Sequence, residues 1–166
     1  MPTCVFIRGA PGTGKNTIAR LLEHDLHWPR IWVHHFDSIY RVIGNYKCPD
    51  LTDRLIRDVS AYMMQQKRDF LIVRPSRTTW GMECIAREAR YNGYKFVAVK
   101  LTANYDTMIE RVANRPNESP FRLTTKEALD EYLQSRKEEA FAGEVVIETD
   151  GVTAEDVAAR VKELIA

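Results

Sequence analysis

Lys15 lies in a glycine-rich run, Gly9-Ala10-Pro11-Gly12-Thr13-Gly14-Lys15-Asn16-Thr17. The run fits the pattern G-x-x-x-x-G-K-[ST] at every position but the last. Glycines adopt backbone angles that a Cβ forbids, so successive amide N–H groups turn inward onto phosphate oxygens. The Lys15 ammonium adds a full charge for the β- and γ-phosphates, and the amino end of a following helix adds about half a charge more. Nucleoside triphosphate binding through Gly9, Pro11, Gly12, Thr13, Gly14, Lys15, Asn16 and Thr17 is therefore expected. Position 16 is where a Ser or Thr hydroxyl normally ligates Mg2+. The Asn16 carboxamide oxygen is also a ligand for a hard cation, but it lies one bond further out, and magnesium tolerates poor octahedral geometry badly. Either Thr17 or a water makes up the difference, or the metal site is weakened and phosphoryl transfer is slow or absent.

Further candidates lie just after apolar segments. Asp37 follows Ile31-Trp32-Val33-His34-His35-Phe36 and could accept the proton of an attacking hydroxyl, or cap the helix beginning at Ser38. Arg41, four residues on, shares its helical face and would clamp an acceptor phosphate or pair with Asp37. Arg111, Arg115 and Arg122 flank a Pro116–Pro120 loop, where arginines on a closing lid would steady the charge that gathers on a moving phosphoryl group. Arg74 and Arg77 follow Phe70-Leu71-Ile72-Val73, where many phosphate-loop enzymes carry an acid that organises magnesium. They would hold an anionic acceptor or be surface charge. Thus catalytic roles fall on Lys15, Asp37, Arg41 and Arg115. Nucleotide contacts extend to Arg111 and Arg115, and acceptor contacts to Asp37, Arg41, Arg74 and Arg77. His34 and His35, adjacent in a strand, would face opposite ways and make no metal site together.

These residues need a frame that brings strand ends together. Thr3–Arg8 reads as a buried strand leading into the loop, and Thr17–Glu23 as the helix behind it. Further strands are expected at Ile31–Phe36, Phe70–Val73, Phe96–Leu101 and Glu144–Glu148. Helices are expected at Ser38–Ile43, Asp50–Lys67, Thr79–Tyr91, Tyr105–Ala113, Thr125–Glu139 and Val152–Ile165. The Asp50–Lys67 helix turns Leu51, Leu55, Ile56, Val59 and Met63 to one side. Such alternation predicts one α/β domain spanning residues 1–166, a three-layer fold with a five-stranded parallel sheet and helices on both faces. Ligands then gather at the carboxyl ends of the strands.

The chain has 166 residues and a net charge of +1, so no global field would drive binding to nucleic acid. Any anionic partner must meet a local basic patch. No stretch approaches the ~20 apolar residues of a membrane helix. The chain enters a strand at once, without a signal-peptide layout. Cys4, Cys48 and Cys84 are scattered, which suits a reducing cytosol and a cytoplasmic protein better than a disulfide framework.

The chain resembles small phosphate-loop kinases of the polynucleotide kinase type, with their zeta-toxin-like and antibiotic-phosphorylating relatives. The resemblance rests on Gly9–Thr17, on Phe36-Asp37-Ser38-Ile39-Tyr40-Arg41, on the stretch from Ser76 to Leu101, and on Glu110-Arg111-Val112-Ala113-Asn114-Arg115. It implies a P-loop NTPase fold, ATP with Mg2+, and a lid carrying Arg111 and Arg115. Asp37 and Arg41 look like the base and the acceptor-phosphate arginine of polynucleotide kinases, at a slightly different gap. The implied activity is γ-phosphate transfer to a hydroxyl of a nucleic acid, such as a 5′ end, or of a nucleotide. A small-molecule kinase for an antibiotic, sugar or nucleoside is the second expectation. A nucleotide-binding protein whose chemistry is impaired at Asn16 is the third.

Overall fold

The computed structural model describes residues 1–43, 49–75, 79–116, 122–135 and 137–166. Five strands form one sheet in the order β2-β3-β1-β4-β5. They are β1 (Thr3–Arg8), β2 (Arg30–Trp32), β3 (Phe70–Arg74), β4 (Lys95–Thr102) and β5 (Val145–Glu148). Every pairing is parallel. The helices between them are α1 (Lys15–Leu26), α2 (Asp37–Ile43), α3 (Pro49–Gln65), α4 (Trp80–Tyr91), α5 (Tyr105–Asn114), α6 (Lys126–Ser135) and α7 (Ala154–Ile165).

Strands buried on both sides carry apolar residues without interruption, and β1 shows this: all its residues are buried. Alternate residues feed two cores. Val5, Ile7, Leu71, Val73, Val99 and Leu101 pack against Ile18 and Leu22 of α1 and Val157 and Val161 of α7. Cys4, Phe6, Phe70, Ile72 and Ala98 face Ile56 and Met64 of α3 and Met82 and Ile85 of α4. Burial pushes the Cys4 thiol pKa far up, so it behaves as a small core residue. A third, smaller core joins Ala10 of the glycine-rich loop to Met108 and Val112 of α5 and Leu129 of α6.

Three details depart from expectation. β2 stops at Trp32 and a 3-10 turn spans Val33–Phe36. The turn is held by aromatic packing: the Trp32 ring meets His34 and His35 edge-on at 4.8 and 5.7 Å between centroids. His34 and His35 therefore do not project from opposite faces of a strand. On α3 the buried positions are Thr52, Ile56, Ser60, Met63 and Met64, whereas Val59 is exposed. The buried Ser60 is tolerated because its hydroxyl donates to the Ile56 carbonyl at 2.6 Å. Finally, α6 ends at Ser135, and residues 137–144 run on as an irregular segment across the α3–α4 side of the sheet. Glu138 meets Lys100, Phe141 meets Phe96, and Glu144 meets Arg8.

Candidate active site

β1 lies at the point where the chain's crossovers change direction, with β3 on one side and β4 on the other. A crevice opens there at the carboxyl ends, as parallel sheets require. The loop from Gly9 to Gly14 fills it. A Cβ on Gly9 would lie 2.5 Å from the Leu101 carbonyl oxygen. At Gly12, φ is 87° and a Cβ would lie 2.6 Å from the Met108 carbonyl oxygen, so only glycine fits. Thr13 is buried and its hydroxyl donates to the Ala10 carbonyl at 2.8 Å.

Lys15 begins α1 and is buried, with Nζ donating to the Ala10 carbonyl at 3.0 Å. Its pKa is lowered to about 7, first by burial, then by the cations Arg115 and Arg122; Glu138 opposes the shift. Arg115 follows α5, and burial and then Arg122 lower its pKa to about 10. Its Nε and Nη2 are buried without a hydrogen-bond partner among the described residues. Cations crowded this way favour a ligand with several negative charges. Arg111 has a different post. It donates to the carbonyls of Gly12 at 3.3 Å and Thr149 at 2.9 Å, and to the Thr149 hydroxyl at 2.8 Å. The Thr149 hydroxyl in turn donates toward the Thr13 and Thr102 carbonyls at 3.2 and 3.1 Å. Thr149, just past the end of β5, thus staples that strand end to the loop. A cleft of about 380 Å3 opens here, lined by Gly14, Lys15, Asn16, Thr17, Arg111, Arg115, Arg122 and Thr149 among others.

Asn16 is half-buried, and its Oδ1 is a buried acceptor with no hydrogen-bond partner among the described residues. Such an oxygen beside the loop fits a hard cation such as Mg2+. Thr17 is exposed. Among the described residues, no group of three or more His, Cys, Asp or Glu is placed to hold a metal.

The other half of the site is built around α2. Asp37 is the first residue of α2, and its carboxylate lies 3.2 Å from His34 Nδ1. Arg41 is exposed on the same helix. Arg74 ends β3 and is ion-paired with Asp53 of α3. Arg77 lies outside the described residues.

Register explains a pattern that the linear sequence conceals. Arg8 pairs with Arg74 on β3 and with Lys100 on β4. Three cations therefore stand in one row across three adjacent strands on the α3–α4 face, Arg8 and Arg74 at the strand ends and Lys100 two residues before the end of β4. Each meets a carboxylate from another element: Arg74 meets Asp53, Arg8 meets Glu144 through two bonds of 2.7 and 2.6 Å, and Lys100 meets Glu138 at 2.6 Å. Arg8 is wholly buried and also donates to the Glu139 carbonyl at 2.6 Å.

A family model described as an AAA domain matches residues 5–138. The chain belongs to this AAA domain family. Solved structures share its fold. A sugar kinase from Janibacter is 15% identical, with a TM-score of 0.71 over 99% of this chain and 95% of the other. A gluconokinase from Sinorhizobium meliloti is 12% identical, with a TM-score of 0.68 over 99% and 95%. The APS kinase of Mycobacterium tuberculosis, solved with AMPPNP and APS, is 12% identical, with a TM-score of 0.71 over 99% and 97%. None of the curated proteins compared matches the chain. Among the described residues no helix is long and apolar enough to cross a membrane.

Proposed function

We propose that this AAA domain protein is an ATP-dependent kinase that transfers a γ-phosphate to a hydroxyl of a small molecule. Lys15, Arg115 and the inward-turned loop receive the triphosphate, and Asp37 takes the proton of the attacking hydroxyl. Asn16 Oδ1 would hold Mg2+. When bound, that ion neutralises charge building on the β- and γ-phosphate oxygens. Arg115, short of hydrogen-bond partners, fits the same developing charge.

The observation that carries the small-molecule reading is the matched row of cations on the α3–α4 face of the sheet. A polynucleotide acceptor needs cations to spare, because phosphate contacts dominate its affinity. Arg74, Arg8 and Lys100 are each occupied by a carboxylate. The basic patch expected from Arg41, Arg74 and Arg77 is thereby reduced, among the described residues, to the exposed Arg41. That residue favours the second reading, a nucleotide or a 5′-hydroxyl nucleic acid end. Solved neighbours named for sugar, gluconate and APS phosphorylation share the fold and lean the same way as the row.

The test is transfer of labelled γ-phosphate to a panel of sugars, nucleosides, aminoglycoside-like alcohols and 5′-hydroxyl oligonucleotides, with Lys15→Ala as control. Label on a compact alcohol, lost by about 1,000-fold in Lys15→Ala, is expected. Label on oligonucleotides alone would overturn the choice of acceptor. Nucleotide binding without transfer to any acceptor would leave a binding protein.

A further inference from the structure

Asp37 does not stand alone. His34 Nδ1 lies 3.2 Å from Asp37 Oδ1, and the two side chains are 13% and 17% exposed. The 3-10 turn explains why they meet. Its tight pitch places residues three apart on one side, whereas the expected strand would have turned them apart. The His34 ring is held edge-on by Trp32 at 4.8 Å. Trp32 in turn lies under the guanidinium of Arg122, 5.9 Å from its centroid. A chain of contacts therefore runs from Arg122 through Trp32 and His34 to the candidate base.

We infer that His34 is the positioning residue of Asp37 and the second station for the proton taken from the acceptor. This rests on the kinase reading. In the transfer step the acceptor O–H bond breaks, its electron pair stays on oxygen, and the proton goes to the Asp37 carboxylate. An oxygen–phosphorus bond forms, and the bond from the γ-phosphorus to the bridging oxygen breaks, releasing the nucleoside diphosphate. Asp37 then passes its proton to His34 Nδ1, the resulting imidazolium gives its Nε2 proton to water, and proton exchange with water returns the ring to the Nε2–H tautomer. The base is thus reset before product leaves.

The surroundings of His34 suit that task. Burial is the main cause holding its pKa below the usual histidine value. Asp37 on α2 opposes the shift; Arg122 and Lys15 of α1 reinforce it. The ring is therefore neutral at pH 7, able to accept a proton and quick to lose it. A permanently charged side chain there could do neither.

His34→Ala should lower kcat about 10- to 100-fold while KM for the nucleotide stays within twofold. Added imidazole should restore a large part of the loss, and the acidic limb of the pH–rate profile should change shape. A loss under twofold, or one that imidazole does not repair, would overturn the relay. His34→Gln is the second variant if His34→Ala melts at a lower temperature. An independent arm needs no turnover: the His34 ring is titrated by 15N NMR in the wild type and in Asp37→Asn. The relay predicts a low pKa that falls further when the Asp37 charge is removed. Equal values in both proteins would sink it. Absence of transfer to every acceptor in the wild type would count against the kinase reading, and the titration would still decide the contact.

Discussion

Two regions of the molecule treat charge in opposite ways. On the nucleotide side, Lys15, Arg115 and Arg122 crowd together, and burial, reinforced by that crowding, lowers the pKa values of Lys15 and Arg115. On the other side, Arg74, Arg8 and Lys100 are met one by one by Asp53, Glu144 and Glu138. The first half is built for a polyanion that supplies the missing negative charge. The second is balanced before anything arrives, which suits an acceptor recognised by shape and hydroxyls. The contrast also assigns the arginines. Arg111, expected on the lid, serves as a clamp on Gly12 and Thr149, and Arg115 is left lining the cleft.

The harshest way to break the balanced half is Glu144→Ala. It strands the buried Arg8 without its carboxylate and should cost about 3 to 5 kcal/mol of stability, measured by urea denaturation. A cost under 1 kcal/mol would mean that the row is held by other means. The crowded half is probed next by pH. Lys15, lowered to about 7 in the free protein, must be charged to hold a triphosphate. Below about pH 7 it is charged already and affinity is level. Above that, binding takes up a proton, and affinity should fall toward tenfold per pH unit. Calorimetry at pH 8 in buffers of different ionisation enthalpy reads that proton directly, and affinity unchanged from pH 7 to 9 would refute it. Asn16→Ser is gentler. It replaces the long carboxamide by the usual hydroxyl and should raise turnover about three- to tenfold at limiting Mg2+. Equal rates for the two proteins would show that the carboxamide is no handicap. The smallest effect is the most telling for the acceptor. KM for the acceptor should move less than twofold between 50 and 200 mM salt, whereas a partner held through 6 to 10 phosphates would lose about 1,000-fold or more.

The phosphate loop was legible in the sequence because its chemistry is local: nine consecutive residues carry the glycines, the lysine and the misfit at Asn16. The strands were legible for the same reason, and β1 spans Thr3–Arg8 as its apolar run suggests. What escaped were meetings between distant residues. Arg74 reads as an open cation until Asp53, 21 residues earlier, is seen beside it. His34 reads as a strand residue because Ile31–Phe36 is apolar and β-rich, yet ring packing on Trp32 bends Val33–Phe36 into a turn. Thr149 has no distinguishing neighbours in the chain, and its role appears only where β5 ends against the loop.

That long reach has a bearing on how the molecule comes to exist. Arg8 waits for Glu144, and Thr13 for Thr149, each pair 136 residues apart. The loop is made well before β5, but contacts that fix its shape come from β5 and its flanks. Closing so large a span is slow relative to local helix formation. A nascent chain lacking β5 would therefore carry the whole nucleotide motif without a finished nucleotide site, and the capacity to bind would arrive only once β5 is in place.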